Sequence, residues 1–129
     1  MILVDTSVWI EWMRPVRPLE LENEVGFDDV VVCLPIVQEV LQGIDDEALF
    51  RLAREALLSF PMLEDPIRDS LVLEAVTLYR TARRAGYSVR SSTDCLIAAC
   101  ALRHDAEVVH RDRDYEHLAR VSGLRQRRL

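Results

Sequence analysis

Ile2-Leu3-Val4-Asp5-Thr6-Ser7-Val8-Trp9 opens the chain with three consecutive apolar residues, a carboxylate and a helix start. A short, uninterrupted apolar run reads as a strand buried on both faces, the kind that parallel sheets contain. Ser7 fits the N-cap of a short helix carrying Trp9, Ile10 and Met13, and Arg14-Pro15 ends it. Asp5 thus stands at the carboxyl end of a strand, partly buried, where an unpaired carboxylate is expensive.

Working outward, the same alternation recurs. Val30–Cys33 reads as a second strand after a polar stretch with a helix near Leu19–Val25. Pro35 then opens a helix through Gly43, with Val37, Val40, Leu41 and Ile44 on its apolar side and Glu39 projecting between them. An amphipathic helix follows over 45–59, and Phe60–Leu63 reads as a brief strand. Asp65-Pro66 resembles an N-cap with proline at the first helical position, and the stripe Leu71, Ala75, Leu78, Ala82 predicts a long helix over 66–85 that Gly86 stops. Ser91 or Ser92 caps a further helix to about His104. Strand 107–109, helix 112–120 and an edge strand at 124–128 complete the pattern. Strands separated by helices predict an α/β fold, a parallel-stranded sheet flanked by helices, in a single domain over 1–129.

Four acids fall where functional groups of such sheets gather: Asp5, Glu39, Asp94 in the first turn of its helix, and Asp112 after Val108-Val109-His110. At ~4 Å and an effective dielectric of ~20, each carboxylate pair repels by roughly 4 kcal/mol, so the cluster persists by protonating or by binding cations. Oxygen ligands without Cys or His at metal spacing select magnesium or manganese. Such ions activate water for in-line displacement at phosphorus, which makes phosphodiester hydrolysis the matching reaction. Each acid also has an ordinary structural role open to it. Asp94 and Asp112 fit helix caps, Glu39 fits a solvated neighbour of the core, and His110 fits a packing or substrate-contact residue as well as a ligand. Trp9 and Trp12 fit the core or an interface.

Composition narrows the field. The net charge is −6, and all sixteen basic residues are arginine. Without lysine there is no Schiff-base or P-loop chemistry, while planar guanidinium forks for phosphate are plentiful. Arginines concentrate in 111–129 beside the acids, which makes Arg111 and Arg113 candidates for contact with the phosphates of a polyanionic substrate. No apolar run approaches the ~18–20 residues that cross a bilayer, and no basic segment precedes a long apolar stretch at the N-terminus. A cytoplasmic protein without a membrane role is expected. Cys33, Cys95 and Cys100 have no CxxC spacing and fit buried, reduced thiols.

Taken together, Ile2–Trp9, the helix Val37-Gln38-Glu39-Val40-Leu41-Gln42-Gly43, the segment Ser92-Thr93-Asp94-Cys95-Leu96-Ile97-Ala98-Ala99 and His110-Arg111-Asp112-Arg113-Asp114-Tyr115 resemble the PIN-domain family. Within it they resemble the VapC-type toxins of bacterial toxin–antitoxin pairs. The resemblance implies a three-layer α/β/α fold in which Asp5, Glu39, Asp94 and Asp112 are the catalytic, metal-binding acids. Asp114 is then a nearby accessory carboxylate, and Thr6 or Ser7 orients Asp5. The chain departs from the family at His110, where Thr or Ser is frequent. The implied activity is a magnesium- or manganese-dependent endoribonuclease that cuts structured RNA, such as tRNA or rRNA, as the toxin of a type II pair. The implied partners are a VapB-like antitoxin, whose amphipathic helix would use a groove near Trp9 and Trp12, and a second copy in a homodimer. The alternatives are a stand-alone PIN nuclease of RNA processing and a catalytically silent interaction module.

Overall fold

The central strand β1 spans only Ile2–Val4, because Asp5 already turns the chain into helix α1 (Thr6–Trp12) in this computed structural model, which describes residues 1–129. β1 pairs in parallel with β2 (Val30–Cys33) on one side and with β4 (Glu107–His110) on the other. β3 (Met62–Leu63) extends the sheet beyond β2, and β5 (Arg125–Arg128) extends it beyond β4, giving the order β3-β2-β1-β4-β5. Every pairing is parallel, as apolar runs such as Val30-Val31-Val32-Cys33, buried at all four positions, require.

The connecting helices form two groups. α1 packs on α2 (Leu34–Gln42), which packs on α3 (Glu47–Ser59); α4 (Asp69–Arg84), α5 (Ser92–Arg103) and α6 (Arg113–Arg120) pack on one another. The connections β1 to β2 to β3 run one way along the sheet, and β3 to β4 to β5 run the other. Right-handed crossovers therefore place the two groups on opposite faces, which is the α/β/α layering. The direction reverses between β1 and β4, so a crevice opens beyond their carboxyl ends. One contiguous apolar core joins both faces of the sheet to the helices, including Leu3, Val32, Ile36, Leu71, Ile97 and Leu118. Ala98, Ala99 and Ala101 lie within it and let α5 approach closely, and α4 against α5 is the most extensive helix pairing.

Three local expectations are corrected. The polar stretch near Leu19–Val25 forms only a 3-10 turn over Leu21–Asn23, since Leu21 and Val25 alone are buried there. The long helix begins at Asp69 rather than 66. Arg103 of α5 reaches Glu64 ahead of α4 at 3.2 Å, and Ser70 and Glu74 in its first turns at 3.3 Å and 2.8 Å, which ties this end of α4 to α5. The third, the N-cap of α1, bears directly on the site. No helix is long and apolar enough to cross a membrane.

Candidate metal centre

Asp5, not Ser7, caps α1. Its backbone is extended, and its Oδ2 accepts the Ser7 N–H at 3.0 Å and the Ser7 hydroxyl at 2.5 Å. The sequence could not separate the two because Asp and Ser are equally good caps. Ser7 Oγ in turn accepts the Arg111 N–H at 3.0 Å and so ties the end of β1 to the turn after β4. The other oxygen of Asp5, Oδ1, accepts the Tyr115 hydroxyl at 2.6 Å. Asp5 is buried, and its whole carboxylate is oriented by these donors.

Asp112 caps α6 with Oδ1, which accepts the Asp114 N–H at 3.0 Å and also meets Arg90 Nη2 at 3.3 Å. Asp94 sits in the first turn of α5, whose cap is Ser91. Asp114 is buried: its Oδ2 accepts the Arg90 N–H at 2.9 Å, and its Oδ1 has no hydrogen-bond partner. One oxygen from each of Asp94, Asp112 and Asp114 lies within 4.8 Å of the other two. Glu39, from α2, accepts the Thr6 hydroxyl at 3.3 Å.

The electrostatics follow from this crowding. Burial first, then the charges of Asp5, Asp112, Asp114 and Glu39, push the Asp94 carboxyl up from 3.8 to about 7. Burial and then Asp5 also raise Glu39, against the opposing hydrogen bond from Thr6. All five acids thus share one pocket, but its tight triad is Asp94, Asp112 and Asp114, with Asp5 and Glu39 beside it. Asp114, which the sequence assigns only an accessory place, is a member of that triad.

The donor set fits a hard divalent cation. It consists of carboxylate oxygens, and among them Asp114 Oδ1 is buried with no hydrogen-bond partner in the protein, as suits a ligand atom for such an ion. His110 is not part of the set. Its Nδ1 accepts the Asp112 N–H at 3.1 Å and its Nε2 lies 2.6 Å from Gln126 Oε1, so both ring nitrogens are engaged and the proton sits on Nε2.

A family model described as PIN domain matches residues 2–121 of this sequence. The chain belongs to the PIN-domain family. Among the relatives of this PIN domain, Ribonuclease VapC11 of Mycobacterium tuberculosis is 38% identical over 130 residues, covering 96% of each chain. The VapC ribonuclease Mb1587 of Mycobacterium bovis matches to the same extent. A solved structure of VapBC2 from Rickettsia felis bound to a promoter DNA fragment superposes with a TM-score of 0.78 over 100% of this chain and 99% of that one, at 14% identity. That likeness concerns the fold.

The remaining sequence candidates divide. Arg111 is held by Glu11 at 3.5 Å, whereas Arg113 is exposed at the start of α6. The other arginines of the C-terminal stretch are largely neutralised: Arg125 by Asp105, Arg127 by Glu107 and Glu24, Arg128 by Glu116. Trp9 is corrected as an interface candidate. It is 2% exposed and packs edge-on against Trp12 and beside Phe60, so this PIN domain uses it in the core. Trp12 is half-buried, with its indole N–H donating to Glu22 at 3.3 Å.

Two residues of the site escape sequence reasoning. Arg90 lies in a loop without periodicity. Tyr115 reads as an ordinary member of the buried stripe of α6, and only its place directly after Asp114 hints at more.

Proposed function

We propose that this PIN domain is a metal-dependent endoribonuclease acting as the toxin of a type II toxin–antitoxin pair. The observation that carries the reading is the triad of Asp94, Asp112 and Asp114, flanked by Asp5 and Glu39 in the crevice where the sheet reverses direction, in a chain 38% identical to VapC ribonucleases. Asp94, Asp112 and Asp114, together with Asp5 and Glu39 beside them, would hold magnesium or manganese. The bound ion supplies activation of the attacking water and charge neutralisation at the phosphodiester.

The residues of the chain prepare that chemistry. Ser7 and Tyr115 fix both oxygens of Asp5, Thr6 steadies Glu39, and the caps on α5 and α6 hold Asp94 and Asp112 at the crevice. Arg113, exposed beside the triad, and Arg111 are the rim that would take RNA phosphates; Arg90 already lies on Asp112 and near Asp114. A structured RNA in the cytoplasm, such as tRNA or rRNA, is the substrate class this reading assigns.

Two apolar grooves support the partner assignments. One, of about 260 Å³, runs between α1, α2 and the start of α3 and is lined by Ile10, Met13, Val40, Ile44 and Leu49. Its spaced aliphatic walls suit an amphipathic antitoxin helix. The other, of about 410 Å³, lies between α4 and α5, where Val72, Val76 and Tyr79 are exposed beside Leu96, and suits a second copy of the chain. These grooves favour a toxin over a stand-alone nuclease.

Incubation of the purified chain with end-labelled structured RNA tests the reading. Cleavage should require magnesium or manganese, stop with EDTA, and be absent from Asp94→Asn and Asp114→Asn. Undiminished cleavage in EDTA, or in both variants, would overturn it.

A further inference from the structure

We propose that the Tyr115 hydroxyl is a positioning group for the metal centre, holding Asp5 in place so that Asp94 is left free to face Asp112 and Asp114. The inference rests on the metal-centre reading above and deepens it.

Tyr115 is fully buried on α6, with its ring centroid 4.9 Å from that of His110. Packing alone explains the ring. The hydroxyl needs another account, because it ends between two carboxylates, 2.6 Å from Asp5 Oδ1 and 3.4 Å from Asp94 Oδ1. A phenol has one proton and two neighbours that want it. The shorter contact identifies Asp5 as the acceptor. Donation draws charge from Asp5, while Ser7 holds the opposite oxygen from the other side, so Asp5 is gripped at both ends.

Asp94 receives no comparably short bond from Tyr115, and its charge remains available to the triad. The phenol oxygen also stands between the two acids, within reach of both. Groups that orient ligands in this way typically change metal affinity by about 10–100-fold when removed. Tyr115 touches neither RNA nor reacting atoms and acts through the carboxylates.

The test is manganese binding by isothermal titration calorimetry on the RNA-free full chain, comparing wild type, Tyr115→Phe and Asp94→Asn. Tyr115→Phe keeps the ring and removes the donor; its manganese Kd should rise at least tenfold. RNA cleavage by the variant should recover at saturating manganese with KM for RNA unchanged. Should the phenylalanine variant fold poorly, 4-fluorophenylalanine at position 115 fills the hydroxyl's space without donating and should weaken binding equally, whereas 3-fluorotyrosine there should restore it. Wild-type or tighter manganese affinity in the non-donating variants, with Asp94→Asn unable to bind, would overturn the role of Tyr115 alone. Wild-type affinity in Asp94→Asn would overturn the metal-centre reading itself.

Discussion

Asp94→Asn should stabilise the metal-free protein at neutral pH and do nothing for it in acid. Asp94 is 7% exposed, and its carboxyl is pushed up from 3.8 to about 7 by burial and by the four neighbouring acids. A group whose folded value lies above its unfolded value makes its full contribution to stability below pH 3.8, while it is protonated in both states. That contribution is lost as the pH rises through about 7, where the native state must ionise a buried group. The span corresponds to roughly 4 kcal/mol at ~1.36 kcal/mol per tenfold in acidity. Relaxation of the pocket and counter-ions reduce this, so about 2–4 kcal/mol is expected to separate the two ends of the window. For a chain of this length that is roughly 10 °C in Tm.

The assay is thermal unfolding in EDTA at about pH 4.5 and pH 8, wild type against Asp94→Asn. The variant lacks the titrating group, so its advantage over wild type should widen between the two conditions. The same pair of proteins then reads the metal. Millimolar magnesium or manganese should raise the Tm of wild type at pH 8, by about 2.7 kcal/mol of stabilisation at a hundred times Kd. The rise should shrink at pH 4.5, where protons compete for the ligands, and should vanish in Asp94→Asn. Parallel pH profiles for the two proteins, or equal metal shifts, would refute the pocket's electrostatics.

The two tryptophans should separate by assay: Trp9→Ala removes a core side chain and should destabilise the fold by about 3–5 kcal/mol in urea unfolding. Trp12→Ala, from a half-buried position, should lower stability less, whereas Ile10→Ala, in the groove between α1, α2 and α3, should spare stability and weaken pull-down of the cognate antitoxin. An unchanged pull-down would move the partner groove away from α1. On the rim, Arg113→Ala should flatten the salt dependence of RNA binding by about one phosphate contact, measured by filter binding over a salt series. Arg111→Ala should change it less, because Glu11 already neutralises Arg111; equal slopes for both variants and wild type would remove this rim from the RNA path.

The strands were legible wherever burial on both faces left an apolar run, as in Leu3-Val4, Val30–Cys33 and Val108-Val109. The edge strand expected at 124–128 is β5, and the structure adds why the edge is tolerable: Arg125, Arg127 and Arg128 each pair with an acid. The stripe of Leu71, Ala75, Leu78 and Ala82 marked the body of α4, but no local pattern reveals the contacts of its first turns with Arg103 of α5. The site divides in the same way. Asp5, Asp94 and Asp112 announce themselves by standing after strands or in first turns. The bond from Tyr115 to Asp5 joins residues 110 positions apart, so spacing carries no trace of it.

Capping and metal binding look like competing explanations for these acids, yet the geometry makes one serve the other. Asp112 spends Oδ1 on the Asp114 N–H, and that bond turns its carboxylate toward the triad. Asp5 spends Oδ2 on Ser7, which is also what makes Ser7 Oγ available to the backbone of Arg111 and locks β1 to the β4–α6 turn. The caps are therefore the devices that aim the carboxylates, and the repulsion they enforce is what a cation would relieve. Asp94 is the exception that supports this: Ser91 caps its helix, so its carboxylate takes no local hydrogen bond, and it is the acid of the triad whose carboxyl is raised to about 7. A helix end alone gives little reason to bury an acid at position 94, three residues past a cap already filled and inside a ring of like charge.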